Sequence, residues 1–280
     1  MILRLISILL AGGAAWVPNA AAAVDLVPHR AVYDVSLAGE PADIDSVEGR
    51  IVVEMTRPDC ETFELDYRFV ARFISPQDVV VTDQQTKASE TRRGDRFTFD
   101  MKTYVDGTES QRSVGTATSS GQTTMVAYEA PTVETVDIPL AAFPVAHTRT
   151  LIAAAEDGAF VHEAAIFDGD PDARKLTRST AIISAAPAKD GEAGAGDPDE
   201  AAKFAQRLDG LDRWRVSEAY YSGAEQADAE PDFRTAYTLY ANGVSDDLTL
   251  SFQGYSLQGR LNELTYLDAP ACEAGEIEKG

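Results

Sequence analysis

Apolar and polar residues alternate one by one through long stretches of this chain. That period of two excludes a helical fold for most of it. Tyr33-Asp34-Val35-Ser36-Leu37 alternates, and Phe63-Glu64-Leu65-Asp66-Tyr67-Arg68-Phe69 does so without a break. From Arg96 to Val105, Phe97, Phe99 and Met101 fall on one side and Thr98, Asp100 and Lys102 on the other. In a pleated strand one such set meets a core and the other meets water. Asp106-Gly107 follows at once. This pair suits a tight hairpin, because both central residues of that turn need a positive φ. Gln111 to Ala117 reads as the returning strand, and Thr123 to Tyr128 as the next. Trp214 to Tyr220 alternates again, Tyr237 to Tyr240 runs into Asn242-Gly243, and Leu248 to Phe252 and Leu257 to Leu267 close the pattern. Strands punctuated by turns every 8–12 residues or so predict a mainly β, antiparallel architecture.

One helix interrupts the strands. Phe143, His147, Thr150, Leu151 and Ala154 share a face at helical spacing, Pro144 suits the first turn and Gly158 the end. A weaker second helix is expected from Asp199 to about Leu208. Between Pro187 and Glu200 the chain has neither aromatic nor β-branched residues and reads as an exposed loop. Similar strands resume beyond it, so residues 24–280 are expected to form a single domain.

The first 23 residues have the pattern of an export signal. Arg4 is the basic start, Leu5 to Ala15 an apolar stretch too short to span a bilayer, and Ala21-Ala22-Ala23 a small-residue cleavage site. Beyond them no apolar run has the length of a membrane-spanning helix, so no stable membrane insertion is expected. The chain carries a formal net charge of −22. Nucleic-acid binding, which needs a basic surface, is therefore not expected. Cys60 and Cys272 are its two cysteines. In an oxidising compartment they allow one intramolecular bridge; unpaired thiols and intermolecular pairing are the alternatives. Such a bridge would be worth roughly 5 kcal/mol on the chain-entropy model.

Catalytic and metal-binding patterns are sparse. His29, His147 and His162 are the three histidines, with no close pair among them; a metal site would have to gather all three, with Asp168 as a fourth ligand. His147, on the apolar helix face, reads instead as a core residue hydrogen-bonded to a neighbour. Gly254 to Gly259 misses a nucleophile elbow by one residue. Asp168-Gly169-Asp170-Pro171-Asp172 gathers carboxylates but fails the calcium-loop register at Ala173 and Ser179, and reads as a turn. No catalytic residue, metal or cofactor is expected.

Leu26-Val27-Pro28-His29-Arg30-Ala31-Val32-Tyr33-Asp34-Val35-Ser36-Leu37 resembles the start of the EipB-like cell-envelope integrity proteins of Alphaproteobacteria. Phe143-Pro144-Val145-Ala146-His147-Thr148 is similar to that family's helix-opening segment, and Ile166-Phe167-Asp168-Gly169 to the strand and turn that follow. The early and late cysteines, here Cys60 and Cys272, match its disulfide pair. The resemblance implies a periplasmic protein whose single antiparallel sheet curls into an open spiral or half-barrel with one main helix packed on it. It implies a non-enzymatic role in envelope integrity under stress, with a periplasmic TPR-type repeat protein as partner. The curled sheet is also similar to carriers of lipids and lipoproteins. His29, Arg30, Tyr33, Phe143, Pro144, His147, Asp168 and Gly169 are the candidate contacts to a partner or ligand.

Two classes of function follow. A protein that acts by binding another protein should show a shallow groove or an exposed apolar patch. A carrier should show a deep apolar cavity with a few convergent polar groups. The alternation does not say which strand face is concave.

Overall fold

In the strand with the longest unbroken alternation, Phe63 and Phe69 are buried while Glu64, Asp66 and Arg68 are exposed. The residues that pair with this inward set, such as Met55 opposite Leu65 and Glu90 opposite Phe63, turn the same way, so one inward face runs continuously across the sheet. The computed structural model describes residues 24–41, 43–186, 206–223 and 230–272. The export segment, the loop from Pro187 to Glu200 and nearly all of the second expected helix lie outside the described residues. Of that helix, residues 206–208 are helical and Leu208 is buried.

The chain runs through β1 (His29–Ala38), β2 (Ser46–Thr56), β3 (Thr62–Ile74), β4 (Val79–Thr91), β5 (Arg96–Val105), β6 (Thr108–Ser120), β7 (Thr123–Ala130) and β8 (Glu134–Pro139). Helix α1 (Pro144–Glu156) follows, then β9 (Val161–Ile166), β10 (Thr177–Ala185), β11 (Arg213–Ser222), β12 (Phe233–Tyr240), β13 (Ser245–Ser251) and β14 (Ser256–Tyr266). All fourteen strands join one sheet in the order β8-β7-β6-β5-β4-β3-β2-β1-β14-β13-β12-β11-β10-β9. Every adjacent pair is antiparallel. Two meanders are thus joined along β1 and β14, the one pairing between strands distant in sequence. The sheet curls without closing. Ala142, just after β8, makes a single parallel bridge to Ile166 of β9 and so links the two ends.

Turn chemistry sets the register. Asp106 and Gly107 adopt φ values of 50° and 76°, the conformation that a two-residue hairpin requires. An extra residue in β13 at Asp247, with φ of 53°, bends the sheet opposite β12, where the register shifts between Ala236 and Thr238.

Helix α1 begins and ends where expected, with Pro144 in the first turn, Asp157 at its end and Gly158 at φ 76° just beyond. Its buried face is rotated from the expected one. Val145, His147, Leu151, Ile152 and Ala155 are buried, whereas Thr150 is exposed and Ala154 half-buried. The reason is a contact on each side: Leu151 and Ile152 pack on Ile183, Val216 and Leu239, while Phe143 joins a separate aromatic cluster. That cluster fills the β5–β8 end of the spiral. Phe97 stacks on Phe99 and on Phe143, with ring centroids 5.6 and 5.3 Å apart, and Phe167 meets both Phe97 and Phe99 edge-on.

Candidate functional site

The inward faces of β1–β3 and β11–β13 are not filled by the helix. They enclose a cavity of ≈ 630 Å³, within the usual range for small-molecule sites. Its wall is built from the inward rows, among them Ile51, Val53 and Met55 of β2, Leu65, Tyr67 and Phe69 of β3, and Leu248 and Leu250 of β13. Pro144, Val145 and Thr148 of α1 roof it, and Asp168 enters from the turn after β9.

Four of the candidate residues meet here: His29, Tyr33, Pro144 and Asp168. His29 Nδ1 lies 2.7 Å from the Val27 carbonyl, and burial holds the imidazole below its usual pKa, in the neutral form. Tyr33 donates to the Ser245 carbonyl at 2.8 Å. Asp168 is exposed through the open cavity, but the protein around it partly desolvates the carboxylate, and this, with the Asp170 charge adding to it, pushes its pKa up.

Three more candidates shape the site from behind. Phe143 caps α1 and is fully buried against Phe97. Gly169 has φ of 101°, and a Cβ there would lie 2.5 Å from Met101 Sδ, so the tight turn presenting Asp168 depends on glycine. His147 is buried, with Nε2 2.8 Å from Glu218 Oε1. Arg30 stands apart. It points to the convex face, where it forms ion pairs with Glu54 at 3.7 Å and Glu263 at 3.6 Å. Neighbours on a strand point to opposite faces, so His29 and Arg30 cannot form one contact site. The histidines are likewise divided: His147 and His162 are 6.0 Å apart ring to ring, while His29 faces the cavity from β1.

The central polar group behind the wall is Glu218 of β11, which carried no motif. Its carboxylate receives His147 Nε2, Ser179 Oγ at 2.5 Å and Tyr237 Oη at 2.6 Å. Burial alone would raise its pKa. The His147 hydrogen bond and charge, with the two hydroxyl donors, overcome this and hold it near 2. Ser179 is buried and gives its proton to the carboxylate, so the cluster binds α1 to β10, β11 and β12 rather than activating a hydroxyl. A sequence signal existed: Glu218 occupies the inward parity between Val216 and Tyr220.

Glu90 of β4 is the second buried acid. It accepts from the backbone N–H groups of Val145 and Ala146, the first turn of α1, at 2.8 and 2.7 Å. Burial pushes its pKa to about 7 against those hydrogen bonds. At the rim, Cys60 and Cys272 form a disulfide with Cα atoms 5.6 Å apart. Beside it Arg57 pairs with Asp25 at 2.8 Å and reaches the Pro270 carbonyl, tying both ends of the described chain to the β2–β3 turn.

With the fourteen-strand open sheet and the Cys60–Cys272 clamp in place, comparison with known proteins assigns the family. The sequence model of the EipB-like proteins matches residues 20–268. The chain belongs to the EipB-like family. It is 34% identical over 266 residues to the cell envelope integrity protein EipB of Brucella abortus (strain 2308), covering 94% of this chain and 92% of that one. A crystal structure of a beta-barrel-like protein from Brucella abortus matches this EipB-like chain with a TM-score of 0.77 at 32% identity. The match covers 88% of this chain and the whole of the other. Among the described residues no helix is long and apolar enough to cross a membrane.

Proposed function

We propose that this chain is exported to the periplasm on its first 23 residues. There, as a single non-enzymatic domain over residues 24–280, it helps maintain cell-envelope integrity by holding an apolar ligand in the concave face of its sheet. The ligand class is a lipid or the lipid-bearing part of a lipoprotein. The cavity carries this reading: about 630 Å³, walled by aliphatic and aromatic side chains with a few polar groups converging at its margin. Family membership and the named role of the Brucella abortus relative support the link to the envelope. The disulfide fits an oxidising compartment.

A second reading, binding to a protein such as a TPR-type repeat protein, has its own observation. Phe160, Val161 and Ile182 are exposed together where β9 ends the sheet. Beyond its short pairing with Ala142, the β9 edge has no strand partner among the described residues, and a strand edge beside apolar side chains is a surface another chain can extend.

Mass spectrometry under non-denaturing conditions, on protein released from its own cells without detergent, separates the two. A bound lipid mass that is lost on denaturation is the expected result. A stoichiometric protein partner with no small-molecule mass would overturn the carrier reading in favour of the second.

A further inference from the structure

We infer that the concave cavity selects amphiphiles whose buried polar end is cationic or neutral, with Asp168 as the residue that sets this preference, and that it rejects acidic lipids. The inference rests on the ligand-carrier reading and names the ligand's charge.

The lining shows the asymmetry. Among the described residues around the cavity there is no Lys and no Arg, and Asp168 is the one carboxylate. The imidazole of His29, the other titratable nitrogen in the wall, is kept neutral by burial. An anionic headgroup entering this space therefore meets no counter-charge. A like-charge juxtaposition in a partly desolvated site is unfavourable.

One feature of the roof would ordinarily attract an anion: the N-terminus of α1, whose first turn borders the cavity through Pro144, Val145 and Thr148. It is already taken. The Val145 and Ala146 N–H groups both donate to Glu90, so the positive end of the helix is occupied by the protein's own carboxylate.

The end of the cavity near Asp168 suits a cation. The Tyr220 hydroxyl is close enough to feel the Asp168 charge, and Tyr220, Tyr237, Phe233 and Phe252 all line the same cavity. Aromatic faces stabilise an ammonium further. Partial desolvation raises the Asp168 pKa, and an ammonium beside it would restore the anion.

The test compares three ligands with the same ten-carbon tail, decylammonium, decanol and decanoate, by calorimetry on the disulfide-bonded protein. Each is used at neutral pH, below the concentration at which it self-associates. Decylammonium is expected to bind best, decanol next, and decanoate about tenfold or more weaker than decylammonium. Asp168→Asn keeps an oxygen to accept the turn's hydrogen bond from the Asp170 backbone. It should erase the advantage of decylammonium over decanol, and saturable decanol binding by the variant reports an intact cavity. Decanoate binding as tightly as decylammonium, or an unchanged ammonium-to-alcohol ratio in Asp168→Asn, would overturn the inference and leave the apolar-ligand reading standing. If none of the three binds saturably, that reading fails and this inference fails with it.

Discussion

At the β5–β8 end of the spiral, the inward positions are phenyl rings packed on one another, with Phe97, Phe99, Phe143 and Phe167 almost completely buried. Across β1–β3 and β11–β13 the same inward positions carry aliphatic and tyrosine side chains that surround open space. Both regions are built by the same alternation on the same continuous sheet. What differs is what enters from the loops. The segment around Phe143 and the turn at Phe167 plug one end, whereas among the described residues the other receives Leu26, one edge of α1 and the Asp168 carboxylate without being filled. A period of two therefore specifies an inward face but not whether that face is filled. The hollow region is held instead by ties at its margin: the disulfide, the Arg57–Asp25 pair and the Glu218 cluster.

The sharpest way to break this contrast is to truncate one side chain in each region. Phe97→Ala should cost about 3–5 kcal/mol, because it empties a close-packed site. Leu248→Ala, in the cavity wall, should cost about 1 kcal/mol or less, since its side chain already faces open space. Chemical denaturation of both variants gives the comparison, and equal losses would show that the hollow is not a hollow in solution.

Removing the bridge with Cys60→Ser and Cys272→Ser should lower stability by about 2–5 kcal/mol while leaving the fold recognisable. Hydrogen exchange should then rise in β1, β2 and β14 and stay unchanged in β5–β7. A uniform rise across the sheet would mean that the clamp serves both regions alike.

The Glu218 cluster adds a pH dependence. Its folded pKa, near 2, lies below the ordinary value of 4.5. A depressed carboxylate stabilises fully above the unfolded pKa, and this contribution is lost as pH falls from about 4.5 toward 2. The magnitude is roughly 3 kcal/mol. The stability gap between wild type and Glu218→Gln should shrink over that window, and a gap that does not narrow as the pH falls would contradict the cluster's role. The smallest effect belongs to the convex face. Arg30→Ala breaks two exposed ion pairs and should change stability by about 0.5 kcal/mol or less, without altering ligand binding.

Much of this was legible in the residues. Strands β1, β3, β5–β7 and β11–β14, the Asp106-Gly107 hairpin and the bounds of α1 follow from alternation and turn chemistry. Strand β4 does not show itself, because Gln84, Thr86 and Glu90 occupy its inward row and blur the alternation. In β10 the inward row, Ser179, Ala181 and Ile183, begins with two small residues, and the contrast is weak. The cavity residues were visible as one side of each strand, but a single strand cannot reveal which side curls inward. Glu218 and Glu90 were hidden for a related reason. The parity of β11 placed Glu218 inside, yet a buried acid makes sense only beside its partners, and these come from other elements: His147 of α1, Ser179 of β10 and Tyr237 of β12 for Glu218, and the first turn of α1 for Glu90.

On the carrier reading, the hollow part of the sheet is a ligand site. Titration with the neutral apolar fluorophore N-phenyl-1-naphthylamine, on wild type and on Leu250→Trp, tests it most directly. Saturable binding at one site per chain is expected in wild type. The added indole should weaken this binding by narrowing the cavity, with thermal unfolding unchanged. Absence of saturable binding in wild type, or equal binding in both proteins, would contradict it.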